Sequence, residues 1–248
     1  LILYLISFVS AIDVTSCITN LSTVDGNYVL TGNINSSPTC LTVLANNVSL
    51  DLNGYNISAN SGVTTANFGI LISFYNGTKI YNGSIIDFSN GIRSLNNFDS
   101  SFYNVTISST KLANDNSIYG LYLQNAHRNN LTNLILRNLV NTDTTGLVAG
   151  DNNCADAHRS FGACIYVSHN TSIINLQIAN LSGRDGGEGI RIEEGNYTYV
   201  SNLTVNVTKT YGFVLDTASM SSINNLTIIL NQTNTADILV TTGANFNN

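Results

Sequence analysis

The chain has 248 residues, with nine Lys plus Arg against fifteen Asp plus Glu, a formal charge of −6 and 39 asparagines. No basic cluster is present to neutralise a phosphate backbone, which argues against a nucleic-acid partner. One proline and no helical period argue against a wound βα fold, whose parallel strands need helical crossovers between them.

In chain order, the first segment is apolar from Leu1 to Ala11, and Val9-Ser10-Ala11 resembles the end of a secretory signal, without an initiator methionine or a basic lead. It is too short to span a bilayer as a helix. Two readings stand. The segment is a signal remnant, or it is an assembly strand in which Leu1, Leu3 and Leu5 alternate with Ile2, Tyr4 and Ile6. A strand with two apolar faces needs a groove or open sheet edge in another copy, and a contact that does not close makes a filament. The expected division is 1–12 for this segment and 13–248 for one repeat domain.

Gly26-Asn27-Tyr28-Val29-Leu30 and Leu41-Thr42-Val43-Leu44 read as short strands, and Asn47 to Leu52 alternates before a turn at Asn53-Gly54. A regular repeat then sets in. Glycine and asparagine stand thirteen residues apart in Gly69/Asn82, Gly91/Asn104, Gly120/Asn133, Gly162/Asn175, Gly189/Asn202 and Gly212/Asn225. Ile70, Ile92, Leu121, Ala163, Ile190 and Phe213 follow the glycines directly, and Ile72, Ser94, Leu123, Ile165, Ile192 and Leu215 come two later, which is the alternation of a half-buried strand. A second strand repeats the pattern around the asparagine, from Ile80, Phe102, Leu131, Ile173, Val200 and Ile223 onward. Such a unit cannot bury its own apolar face and must stack on its copies. The expected fold is all-β: a right-handed, single-stranded parallel β-helix, or β-solenoid.

The extra length between repeats falls after the second strand, in about 108–119, 137–161 and 179–188, so these loops are expected along one edge of the rod, where a rigid repeat carries its specificity. The longest holds Asp151, Cys154, Asp156 and His158. Cys17, Cys40, Cys154 and Cys164 allow three pairings. The local one, Cys17 with Cys40 and Cys154 with Cys164, would close the N-terminal region and tether the long loop.

Fifteen Asn-x-Ser/Thr triplets make N-linked glycans an expectation in a secreted chain. Asn82, Asn104, Asn202 and Asn225 fall in the corner column, where the amide would stack on the copy above and stay bare. Asn76, Asn130, Asn170, Asn180, Asn196 and Asn231 lie outside that column and are the expected acceptors.

The densest charge cluster is Arg184, Asp185, Glu188, Arg191, Glu193 and Glu194. Asp185, Glu188, Arg191 and Glu193 are the weak catalytic candidates, since paired carboxyls can do acid and base work on a sugar. In register, Tyr166 and Asp216 would flank Glu193, while Cys164 and Val214 flank Arg191. The simpler expectation is an outward Arg191–Glu193 surface pair with no poised base. His127, His158 and His169 are assigned to different turn positions, and no resident metal is expected, although loop oxygens leave calcium open.

Asn47 to Ile57, with the recurring Gly-Ile-x-Ile and Asn-Leu-Thr-Ile units, resembles the right-handed parallel β-helix proteins of the pectate-lyase-like superfamily over roughly 24–240. That group mixes polysaccharide lyases and hydrolases with binding and surface proteins. Its Asn-x-Asp, Asp-Asp and Gly-His-Gly hydrolase motifs are absent, and the Asn/Thr-rich composition looks like microbial surface repeat proteins of archaea and bacteria. The resulting expectation is a non-enzymatic, extracellular, cell-surface structural glycoprotein without a transmembrane span. Its partners would be copies of itself, in an end-to-end filament, and cell-surface glycans. The alternative is a secreted β-helix that binds or cleaves polysaccharide.

Overall fold

Three residues per repeat bend the chain, and each does so by taking a left-handed backbone conformation. Five after the glycine stand Phe74, Asn96, Asn125, Val167, Glu194 and Thr217, with φ between 46° and 67°. Eight after it stand Gly77, Asp99, Arg128, Asn170 and Tyr197, with φ between 55° and 71°. Thirteen after it comes the asparagine column, with φ between 53° and 61° from Asn82 to Asn225. Asparagine tolerates this region better than other side chains, which is why it dominates the third corner. Straight segments between these bends give each coil its faces.

The computed structural model describes residues 10–17, 19–36, 38–60, 67–109, 117–141, 154, 160–182, 186–207, 211–230, 238–241 and 245–246. Within them the strands form two parallel sheets, and the order in each follows the chain, coil on coil. One, here the glycine sheet, runs from Thr19–Leu21 and Leu41–Val43 through Phe68–Ser73, Asn90–Leu95, Ile118–Gln124, Ser160–Tyr166, Gly187–Glu193 and Phe213–Asp216 to Ile238–Val240. The other, the asparagine sheet, includes Lys79–Ile86, Ser101–Ser109, Asn130–Val140, Ser172–Ser182, Asn196–Val207 and Ser219–Leu230. In the early coils the second strand is broken at its bend: Ser49–Asp51 and Asn56–Ala59 both pair with Lys79–Ile86, on either side of Asn82. The fold is a right-handed parallel β-helix, as the repeat predicts.

The register matches the sequence offsets. Ile70, Ile92, Leu121, Ala163, Ile190 and Phe213 are successive partners, and all are fully buried. Ser94 interrupts the next inward column and is satisfied there by the Asn97 Nδ2 donor at 2.6 Å. The glycines line up as well, and their need is steric. A Cβ on Gly91 would lie 2.6 Å from the carbonyl oxygen of Gly120, and one on Gly120 would lie 2.6 Å from that of Gly162.

The asparagine corner forms a continuous side-chain ladder. Asn104 donates from Nδ2 to Asn82 Oδ1, Asn133 to Asn104, Asn175 to Asn133, Asn202 to Asn175 and Asn225 to Asn202, at 2.8–3.3 Å. Asn180, expected among the free acceptors, stands in a second, shorter ladder and donates its Nδ2 to Asn138 at 2.8 Å. Both residues again have positive φ, so an additional bend eighteen after the glycine recruits the same chemistry.

Cys17 bonds Cys40, and Cys154 bonds Cys164. The first links the opening coils, and closing a loop of that length constrains the unfolded chain by about 3 kcal/mol. Ile12–Val14 is the first described strand. Leu1 to Ile6, the expected assembly strand, lies outside the described residues, as do Asp185 and Asn231. No described helix is long and apolar enough to cross a membrane.

Candidate active site

The outer face of the glycine sheet carries side chains that change from coil to coil. Two after the glycine the column reads Leu71, Arg93, Tyr122, Cys164, Arg191 and Val214, in continuous register. Two further on it reads Ser73, Leu95, Gln124, Tyr166, Glu193 and Asp216. The neighbours expected for Arg191 and Glu193 are therefore the observed ones.

Their surroundings differ from the expected surface pair. Arg191 and Glu188 are fully buried and Glu193 is 8% exposed. Arg191 Nε donates to Glu188 Oε2 at 2.8 Å, and Nη1 donates to Asp216 Oδ2 at 2.9 Å. Glu193 Oε2 lies 3.9 Å from the same Nη1. The closest partner of Arg191 on its own strand is thus Glu188, with Glu193 more distant. Asp216, one coil on, was named only as a neighbour in register. Its second oxygen accepts hydroxyl donors from Thr217 and Thr241.

Part of the covering comes from Cys154. Its disulfide to Cys164 and its backbone N–H, which donates to Glu193 Oε2 at 2.8 Å, fix it against this face. The Tyr119 hydroxyl donates to the Cys154 carbonyl at 2.5 Å. Cys154, Cys164 and Tyr122 form a small apolar cluster, with Leu95, Tyr119 and Tyr166 packed on it. This cluster is separate from the core inside the rod.

Burial sets the electrostatics. It raises the Glu193 carboxyl above the ordinary range, helped by the charges of Asp216 and Glu194; the Cys154 N–H and Arg191 pull the other way without prevailing. Burial opposes the charge on Arg191, but its bonds to Glu188 and the surrounding carboxylates more than compensate, so its pKa is raised. The Tyr122 hydroxyl is raised, chiefly by burial. A carboxyl raised by burial beside two others keeps its proton to higher pH than an exposed one, the property a general acid needs. Among the described residues no metal-holding group of His, Cys, Asp and Glu occurs; within this cluster the guanidinium takes the place between the carboxylates.

His127 and His169 correct another expectation, since they occupy the same turn position. Their rings stack with centroids 4.9 Å apart, His169 N–H donates to His127 Nδ1 at 3.0 Å, and Asn196 N–H donates to His169 Nδ1 at 2.9 Å. Both residues stand seven after a glycine, a coincidence readable in the sequence. Because each Nδ1 accepts a backbone proton, each Nε2 carries the hydrogen, and the pair cannot present free lone pairs to a metal.

No family model matches the chain. No curated protein matches it in sequence. Among solved structures it is similar to tailspike protein 2 of an Escherichia coli O157:H7 bacteriophage, at 13% identity and a TM-score of 0.42, over 89% of this chain and 38% of that one. It is also similar to the catalytic domain of a GH87 alpha-1,3-glucanase in complex with nigerose, at 11% identity and a TM-score of 0.32, over 94% of this chain and 63% of that one. The chain thus spans less than two thirds of either, and at these identities the likeness is one of fold. The tailspike is also solved as its enzymatically active domain. The expectation of a non-enzymatic structural building block, with its lean away from catalysis, is withdrawn because Arg191 is enclosed by Glu188, Glu193 and Asp216 in a buried cluster and does not form an outward surface pair with Glu193.

Proposed function

We propose that the chain is a secreted, carbohydrate-active β-helix whose glycine-sheet face binds and cleaves a polysaccharide. The observation that carries this reading is that Glu193 and Asp216 share Arg191 Nη1, at 3.9 Å and 2.9 Å, while burial keeps the Glu193 carboxyl raised. Sharing one nitrogen, the two oxygens lie no more than about 6.8 Å apart, which reaches only the lower end of the separations of about 6.5 to 9.5 Å that admit a water between acid and base. Glu193, with Oε1 left for substrate, donates its proton to the glycosidic oxygen as the carbon–oxygen bond breaks. Asp216, oriented by its bond from Arg191 Nη1, accepts a proton from the water whose oxygen bonds the anomeric carbon. Glu188 neutralises and orients Arg191.

Two disulfides suit an oxidising, extracellular setting, and a polysaccharide substrate suits the cell surface. Asn130 and Asn170 have exposed side chains and remain the proposed glycan acceptors, with Asn76 and Asn196 less exposed. The test measures reducing-end release from neutral and acidic polysaccharides by the wild type and by Glu193→Gln. Release by the wild type that falls at least a hundredfold in the variant supports the assignment. No release from any polymer, or equal release by both proteins, removes it.

A further inference from the structure

Arg93 lies in the same outward column as Arg191, three rungs away through Tyr122 and Cys164. The two guanidiniums are treated differently. Arg191 is enclosed by carboxylates. Arg93 is held between aromatic rings, 5.2 Å from the Phe68 centroid and 5.0 Å from that of Tyr122. Its Nε is buried without a hydrogen-bond partner, and among the described residues no carboxylate pairs with it.

A guanidinium fixed between two rings has already lost most of its side-chain freedom, so an incoming anion meets a preorganised fork. An unsatisfied buried donor costs free energy that a ligand oxygen recovers. The position is also directional. Three rungs at the usual strand spacing of about 4.7–4.9 Å put Arg93 about 14 Å from the carboxylate cluster. Around Arg191, Glu188, Glu193 and Asp216 supply more negative than positive charge and repel an anion. One end of the face therefore accepts an anionic group, and the other accepts only neutral, hydrogen-bonding sugar.

We infer that Arg93 is an anion-recognition subsite, which takes a carboxylate or sulfate carried by a glycan chain lying along the rod, about three coils from the unit at Glu193. This rests on the polysaccharide reading of the face and adds the charge pattern of the ligand. The geometry requires no metal. A planar fork matches the oxygens of either anion.

The experiment is titration calorimetry on the full chain with three probes: a cellohexaose carrying one terminal uronate, a cellohexaose carrying one terminal sulfate and unmodified cellohexaose. The wild type is expected to bind at least one acidic probe about tenfold more tightly than cellohexaose, and Arg93→Gln to lose that preference, as expected for one charge-assisted contact. Arg93→Lys should recover only part, because it keeps the charge but not the fork. Preference for the uronate alone assigns a carboxylate, and preference for the sulfated probe alone assigns a sulfate. Equal wild-type affinity for all three probes, or an undiminished preference in a folded Arg93→Gln protein, overturns the inference. Should Arg93→Gln fail to fold, the wild-type preference must weaken with added salt; a salt-independent preference overturns it equally. Charge-dependent binding with no bond cleavage would leave the subsite standing and remove the cleavage reading, whereas cleavage unaffected by Arg93→Gln would do the reverse.

Discussion

The asparagine corner and the outer face of the glycine sheet belong to the same coils, yet they are built on opposite principles. At the corner, each coil repeats one residue, one left-handed backbone conformation and one bond to the coil before it. On the outer face, Arg93, Tyr122, Cys164, Arg191 and Val214 follow one another without repetition. Repetition marks positions whose task is to hold one coil on the next. Its absence marks positions released from that task of repetition, and there the chain gathers buried charge.

The unrepeated side breaks most severely at Arg191. Arg191→Met should destabilise the protein by about 3–5 kcal/mol, because it removes the buried cation bonded to Glu188 and the donor to Asp216 Oδ2. Chemical denaturation near neutral pH reads this directly. A loss below about 1 kcal/mol would mean that water reaches the cluster and that the Glu193 carboxyl is not held raised by burial.

The repeated side breaks more gently. Asn133 donates to Asn104 and accepts from Asn175 while its φ is 53°. Asn133→Ala loses both bonds and strains the bend, for an expected cost of about 1–3 kcal/mol. Asn133→Gly should recover the strain and not the bonds, so its denaturation midpoint should fall between the other two. If alanine and glycine proved equal, the backbone conformation would not be what asparagine supplies.

The smallest effect sharpens the comparison, since the stacked histidines repeat over only two coils. Burial, followed by the charges of His169 and Arg128, lowers the His127 pKa below its ordinary value. The unfolded chain therefore binds the proton more readily, so the stability from neutral His127 is complete above about pH 6.5 and declines as the pH falls below it. Glu193 acts in the opposite sense: its raised pKa contributes stability at low pH that is lost as the pH rises through its folded value. Asn76 already performs the histidine's bonding two repeats earlier, its Oδ1 accepting the Phe98 N–H at 2.9 Å. His127→Asn should therefore keep the corner and show a shallower loss of melting temperature between pH 7 and 5 than the wild type. An unchanged slope would place the titration elsewhere.

What the sequence reveals follows the same division. The inward columns and the asparagine corner are legible because stacking forces identical chemistry at identical offsets, and Ile92, Leu121 and Asn133 sit where counting from the glycine puts them. The neighbours of Arg191 and Glu193 across the sheet are legible for the same reason. Their burial is not, because Cys154 reaches them from a segment outside the repeat, and no periodicity records where such a segment comes to rest. The bond from Arg191 to Glu188 spans three residues on one strand, across the glycine, where simple alternation would separate them. The pairing of His127 with His169 was available by counting from Gly120 and Gly162. Only the irregular loop between them hides it.

The asparagine ladder makes the rod a ruler. Each amide is tied to the one beneath it, so the rise from coil to coil is held constant, and any chain laid lengthwise along the outside meets a fresh set of side chains at every graduation. Selectivity on such a surface can be tuned in whole increments: inserting or deleting one coil between Arg93 and Arg191 would alter by one step the length of molecule that touches both, with neither end redesigned.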